Sequence, residues 1–167
     1  MSKILNYLYL SSKEEAQNNK FLKNSKIIAI ISIGNDINND LNLPLYKINE
    51  EDYPNTSLDK YFNDTNNFII KHKKNGSILV HCSKGVSRSA TIILAFLINN
   101  NKMSLLEAFN FLKNKRNIIH PNHGFIKQLG NYEMSINNIN KPSLTSWDYM
   151  NMNEHDYNEF VKNFNLK

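Results

Sequence analysis

The stretch HCSKGVSRS, His81 to Ser89, sets a cysteine, a glycine, an arginine and a serine at fixed offsets, and Cys82 is the single cysteine of the chain. It follows the apolar run SILVH and leads into SATIILAFLINN, so it reads as a loop between a buried strand and a buried helix. Such loops are where an α/β domain meets ligands, at the C-terminal ends of its strands. From Ser83 through Lys84, Gly85, Val86 and Ser87 to Arg88 the backbone can curl so that successive amides point inward, with Gly85 supplying the close approach and positive φ this demands. The product is an oxyanion cradle at a helix N-terminus, to which Arg88 adds a planar fork matching two phosphate oxygens at once.

The same positive field acts on the sulfur. A cysteine at a helix N-terminus beside an arginine is expected to be held as thiolate and to act as a nucleophile. His81 is expected to orient the loop by hydrogen bonding from beneath, and Ser89 to place a hydroxyl beside the sulfur that helps it leave in a second step. The competing reading is an inert core thiol. Against it, these residue types at these offsets arise by chance on the order of 10⁻⁷ per start position. Attack on a phosphoester also requires a proton donor for the departing oxygen. Three consecutive carboxylates, Glu50, Glu51 and Asp52, stand upstream in EEDYPNTSLDKYF, and spacing does not choose among them.

The elements that must position these groups follow an α/β pattern, a largely parallel sheet with helices around it. ILNYLYL (Ile4 to Leu10) reads as a strand. Ser11 with Glu14, or Ser12 with Glu15, then opens a helix over SSKEEAQNNKFLKN by a capping-box pattern. KIIAIISIG (Lys26 to Gly34), β-branched and stopped by glycine, predicts a central buried strand, and PLYKIN (Pro44 to Asn49) a less buried one. Leu58, Phe62, Phe68, Ile69 and His72 form one apolar helical stripe that Gly76 ends. SILVH (Ser77 to His81) delivers Cys82, Ser104 with Glu107 caps the helix LLEAFNFLKNKR, and a last helix, GFIKQLGNYEMSI, follows His120-Pro121. The expected domain spans residues 1–137. Residues 138–167 form an Asn- and Tyr-rich tail in which NEHDYNEFVKNF is able to form a short helix, and Trp147, Tyr149, Tyr157, Phe160 and Phe164 favour packing it on the domain.

Composition narrows the class. A chain of 167 residues, 41% hydrophobic and 21% charged, suits one globular domain. MSKILNYLYL lacks a secretory pattern, no run reaches the roughly 20 apolar residues of a membrane helix, and one useful thiol fits a reducing compartment, cytoplasm or nucleus. The net charge of +5 favours anionic partners. Lysines are nevertheless dispersed, so KHKK at Lys71 to Lys74 reads as a solvated helix end and no nucleic-acid partner is expected. N-x-[ST] matches at Asn55, Asn63 and Asn75 reflect the Asn-rich composition. His120 and His123 superficially suit a metal pair, but no further ligands lie near them in sequence, so no metal is expected. Tyr149 in DYMNM is not expected to be a phosphotyrosine docking site.

HCSKGVSRSATIILAFLI resembles HCxxGxxRS/T, the signature of cysteine-based phosphatases, and specifically of the small dual-specificity protein phosphatases. ILNYLYLSS is similar to that family's opening strand and its LYLGS turn, DYPNTSLDKYF to its D-x-P-x-x-x-L-x-x-Y-F segment, and SLLEAFNFLKNKRNIIHPNHGFIKQL to its closing helices. The similarity covers about Ile4 to Glu133. It implies a twisted, largely parallel sheet of four to five strands flanked by helices, with a strand, phosphate loop and helix forming the active site. It further implies Cys82 as nucleophile, Arg88 as phosphate clamp, Asp52 as general acid on a movable loop, Ser89 as the assisting hydroxyl and Asn122 as a brace of the phosphate loop.

The implied reaction is hydrolysis of phosphotyrosine and phosphoserine or phosphothreonine in phosphoprotein substrates, through a phosphocysteine and without metal or cofactor. The chain has no room for the loop that deepens phosphotyrosine-only pockets. Because the resemblance starts near residue 4, it points to a small atypical member lacking a kinase-docking domain. Tyr53 after Asp52, Glu51 before it and Asn117 after Arg116 depart from the family pattern. Competing functions are the same chemistry on an RNA 5′ end, a phosphoinositide or a glucan, a non-catalytic phosphate-binding module, and a rhodanese-like sulfur transferase. Oligomeric state is not legible.

Overall fold

The apolar run Ile4–Leu10 is a hairpin and not the single strand expected. In the computed structural model, which describes residues 1–34, 37 and 40–152, β1 (Ser2–Leu5) and β2 (Leu8–Ser12) pair antiparallel with Leu5 opposite Leu8. Asn6 and Tyr7 are the turn between them. Asparagine suits such a tight connection, but with no glycine or proline beside it the break is masked in the sequence. The helix expected next also divides. Ser12 and Glu15 form the capping box of α1 (Lys13–Ala16), and Asn18 then accepts from Phe21 N to start α2 (Asn19–Asn24). An asparagine side chain competes for backbone N–H groups, which interrupts a helix and restarts it.

β3 (Ile27–Ile33) and β4 (Leu45–Ile48) precede a 3₁₀ turn, Asp59–Tyr61, and α3 (Phe62–His72). β5 (Ser77–Cys82), α4 (Arg88–Asn101), α5 (Leu105–Lys115), α6 (His123–Asn137) and α7 (Ser146–Asn151) complete the described chain. The five strands lie in the order β1-β2-β5-β3-β4. Every pairing but β1 with β2 is parallel. The middle place belongs to β5, all six of whose residues are buried, while β3 is the interior strand beside it. Parallel strands covered on both faces need continuous apolar runs, and both sequences have them. Ile31 and Val80 face the large core around Phe62, Phe96 and Phe125, whereas Ile30 and Leu79 pack on Ala16 and Leu22 of α1 and α2.

Leu58, Phe62 and Ile69 of the predicted stripe are fully buried, but Phe68 and His72 stay half-exposed with their rings 4.6 Å apart. α3 ends at His72 in a turn, before Gly76 is reached. α4 is buried from Arg88 to Ile98 and runs through the middle of the large core. The capping box of Ser104 and Glu107 starts α5 as expected. In the tail, Tyr149 on α7 is buried and Trp147 is 68% exposed. The helix expected within Asn153–Phe164, with Tyr157, Phe160 and Phe164, lies outside the described residues.

Candidate active site

Cys82 ends β5 and Arg88 begins α4, so the intervening loop caps the sheet at the helix N-terminus. Its carbonyls are turned outward and held there. Lys13 N donates to Ser83 O at 3.1 Å and His120 N to Val86 O at 2.9 Å. Arg116 donates through Nε to Gly85 O at 2.9 Å and through an NH2 group to Lys84 O at 3.3 Å. In a trans peptide the N–H points opposite the C=O, so four outward oxygens turn four amides, those of Lys84 to Ser87, to the inner side. Gly85 has φ +66°, and a Cβ there would sit 2.4 Å from Ser11 O. The loop therefore rests directly on the backbone of β2.

Ser89 Oγ donates to Cys82 Sγ at 3.1 Å, both atoms being buried. The Arg88 side chain is 8% exposed and is anchored by one NH1 donation to Glu50 O at 3.0 Å. Its Nε is buried without a hydrogen-bond partner and lies 3.5 Å from Asp52 Oδ2 in an ion pair. A buried unpaired guanidinium N–H is the kind of donor a bound oxyanion satisfies. Gly34, at the end of β3 with φ +69°, makes this placement sterically feasible, because a Cβ there would lie 1.7 Å from Arg88 NH1.

The three carboxylates separate in space. Asp52 Oδ1 accepts from Ser87 Oγ at 2.8 Å and from Asn122 Nδ2 at 2.9 Å, which puts this carboxylate over the loop. Glu50 turns instead to Lys60 at 2.7 Å and Tyr61 OH at 3.0 Å, and hydrogen bonds from both lower its pKa. Glu51 is exposed. Asn122 also donates its backbone N–H to Ser87 Oγ at 3.2 Å and N-caps α6, so it links the Asp52 loop to the phosphate-type loop through Ser87. The family resemblance implies only its contact with the phosphate-type loop.

His81 differs from expectation. It is wholly buried in β5 and neither ring nitrogen makes a hydrogen bond of ordinary geometry, the Cys82 backbone being the polar group that acts on the ring. Burial lowers its pKa from 6.5 to about 4, outweighing the nearby Cys82 backbone, which acts the other way. The unfolded chain thus binds the His81 proton at a higher pH than the folded one. The His81 contribution to stability is expected to be complete above about pH 6.5 and to be lost as the pH drops toward 4, by about 3 kcal/mol. Urea melts at several values between pH 4 and pH 7 measure this slope, which His81→Asn is expected to flatten. An unchanged slope in that variant would assign the acid sensitivity to another group.

Asp52, Ser83, Lys84, Val86, Ser87, Arg88 and Asn122 line one cavity of about 680 Å³ together with Cys82. The chain matches the dual specificity phosphatase catalytic-domain family model over residues 8–135. It belongs to the dual specificity phosphatase family. It is 36% identical over 140 residues to tyrosine phosphatase 123R of Invertebrate iridescent virus 6, covering 83% of this chain and 96% of that protein. A rhodanese domain-containing dual specificity protein phosphatase of Dictyostelium discoideum is 37% identical over 137 residues, covering 80% of this chain and 29% of the relative. The chain thus spans less than a third of that longer protein. The crystal structure of DUSP15 superposes with a TM-score of 0.76 at 32% identity, over 80% of this chain and 86% of that one. The domain is that of a cysteine-based protein phosphatase, and these matches favour protein phosphatase chemistry over the RNA, phosphoinositide and glucan alternatives.

Several parts of this dual specificity phosphatase site escaped the sequence reading. Arg116, whose side chain is 9% exposed, also pairs with Glu15, which in turn meets the Met1 ammonium. Burial lowers its pKa, with the nearby Cys82 opposing. Its rarity was the available signal, since the chain has two arginines among 20 Lys and Arg residues. His120 and His123 line the cavity, as do Tyr149, Met150 and Met152 of the tail. Among the described residues no three His, Cys, Asp or Glu side chains gather as a metal site, and no helix is long and apolar enough to cross a membrane.

Proposed function

We propose that this dual specificity phosphatase domain hydrolyses phosphotyrosine and phosphoserine or phosphothreonine in proteins by two displacements at phosphorus. The observation that carries the reading is the coincidence of Cys82 Sγ, the inward amides and Arg88 on one side of a cavity with Asp52 held over it by Ser87 and Asn122. The Cys82 thiolate attacks phosphorus as the phosphorus–oxygen bond to the substrate breaks. Protonated Asp52 passes its proton to the leaving oxygen and becomes carboxylate. Asp52 then takes a proton from water, whose oxygen attacks phosphorus, and the sulfur–phosphorus bond breaks to return the thiolate. The Ser89 hydroxyl, already donating to Sγ, stabilises the sulfur as it departs. The amides and Arg88 hold the three equatorial oxygens throughout. A reducing compartment, cytoplasm or nucleus, suits a protein whose single cysteine is the nucleophile.

The role of Asp52 is tested by its leaving-group dependence. Asp52→Ala is expected to slow hydrolysis of a phosphoserine peptide by about 10³-fold and of an activated aryl phosphate far less, because only the poor leaving group needs the proton. Glu51→Ala is expected to behave as wild type. Steady-state rates on the two substrates decide, and the reverse pattern transfers the acid role to Glu51.

A further inference from the structure

α7 lies beyond the part of the chain that matches the family, residues 8–135, yet it is built into the catalytic cleft. Its placement is rigidly specified. Glu133, fully buried on α6, accepts Leu105 N at 2.9 Å through one oxygen and Ser143 N at 2.8 Å through the other. Ser143 Oγ in turn accepts Leu106 N at 3.0 Å. Thr145 then caps α7, Leu144 is buried, and Tyr149 packs edge-on against Phe109 while its hydroxyl donates to Pro121 O at 2.8 Å. Burial raises the Tyr149 pKa, so the ring stays neutral.

This anchoring presents Tyr149, Met150 and Met152 to the cavity that contains Cys82 and Arg88. The cavity is therefore two-sided. Its phosphate side carries amides, Arg88, Asp52 and Lys84, its α7 side carries an aromatic ring and two thioethers, and His120 and His123 line it as well. It is a half-open cleft of about 680 Å³, more than one phosphoryl group fills. Methionine side chains adapt their shape, so such a wall accepts a range of apolar partners. Met150 is 56% exposed and has surface left to bury.

We propose that α7 is a specificity wall: it forms an apolar subsite, continuous with the phosphate cradle, for a hydrophobic side chain flanking the phosphoresidue of a peptide substrate. The assignment rests on the phosphatase reading above and adds the substrate class. Covering one methionine with an apolar side chain predicts a preference of roughly tenfold for peptides that carry one.

The test compares kcat/KM of the wild-type protein on two phosphotyrosine peptides that differ in having leucine or serine at the flanking positions, with an aryl phosphate as a third substrate. The leucine peptide is expected to be favoured about tenfold. Met150→Glu is expected to bring the ratio near one, and Met150→Leu to keep it. Equal efficiency on the two peptides in the wild type overturns the subsite, as does a Met150→Glu protein that retains the preference. Hydrolysis of the aryl phosphate but of neither peptide also overturns it. Failure to hydrolyse all three substrates overturns the phosphatase reading itself.

Discussion

Cys82→Ser is expected to lower kcat by at least about 10⁴-fold while phosphopeptide binding persists. In the proposed reaction the sulfur forms the bond to phosphorus, and a serine hydroxyl in its place is not ionised near neutrality. The groups that hold the phosphoryl oxygens are unaffected. Arg88 remains anchored to Glu50 O, and the loop carbonyls remain held by Lys13, Arg116 and His120. Serine is smaller than cysteine and carries a hydroxyl that Ser89 Oγ, now 3.1 Å from Sγ, is able to pair with, so the buried site keeps its fold. Single-turnover kinetics, with acid quench to detect a phosphoenzyme, measure the first property and calorimetric titration with a phosphopeptide the second. Retention of more than a few per cent of the wild-type rate would mean that another nucleophile attacks. Loss of binding in a folded variant would mean that the sulfur itself holds the anion.

Arg88→Lys is expected to lower kcat/KM by about 10³-fold and to weaken vanadate inhibition as well. The guanidinium performs two tasks that one ammonium does not combine. One NH1 donates to Glu50 O at 3.0 Å, which locks the side chain, and the buried Nε is left to face an oxyanion. Lysine reaches either the carbonyl or the phosphate as a point charge and offers no planar fork. Asp52 also loses the cation 3.5 Å from Oδ2 and with it part of its orientation. Rates on an aryl phosphate and the inhibition constant for vanadate separate these effects, with thermal unfolding as the check on folding. Equal vanadate affinity in wild type and variant would remove Arg88 from the binding of the anion.

The components of the site were legible to different degrees for physical reasons. Cys82, Gly85, Arg88 and Ser89 lie within a single loop, and a short backbone curl leaves few arrangements for them, so residue types and offsets were enough. Asp52 was not separable from Glu50 and Glu51 by spacing. The distinction arises because Ser87 and Asn122, from two other segments, reach Oδ1 of Asp52, whereas Lys60 and Tyr61 draw Glu50 away. The chemical type of His81 leads one to expect a hydrogen bond, but in the middle strand, with Ser11 and Ser32 opposite it on the two neighbouring strands, both ring nitrogens are buried without a partner.

By itself the sequence determined the α/β class, the positions of β3, β5, α4 and α5, and the loop from Cys82 to Ser89 as the link between a buried strand and a buried helix. These rest on hydrophobic periodicity, capping side chains and backbone geometry, all of which act over a few neighbouring residues. Tertiary structure alone decided that Asn6 turns the first apolar run into a hairpin, that Gly34 leaves space for the Arg88 guanidinium, that Arg116 clasps the loop from outside and that α7 walls the cleft. The first is a local turn that no glycine or proline marks, and the other three depend on which distant segments the sheet order and the buried Glu133 carboxylate bring together, long-range packing that leaves no periodic signal along the chain.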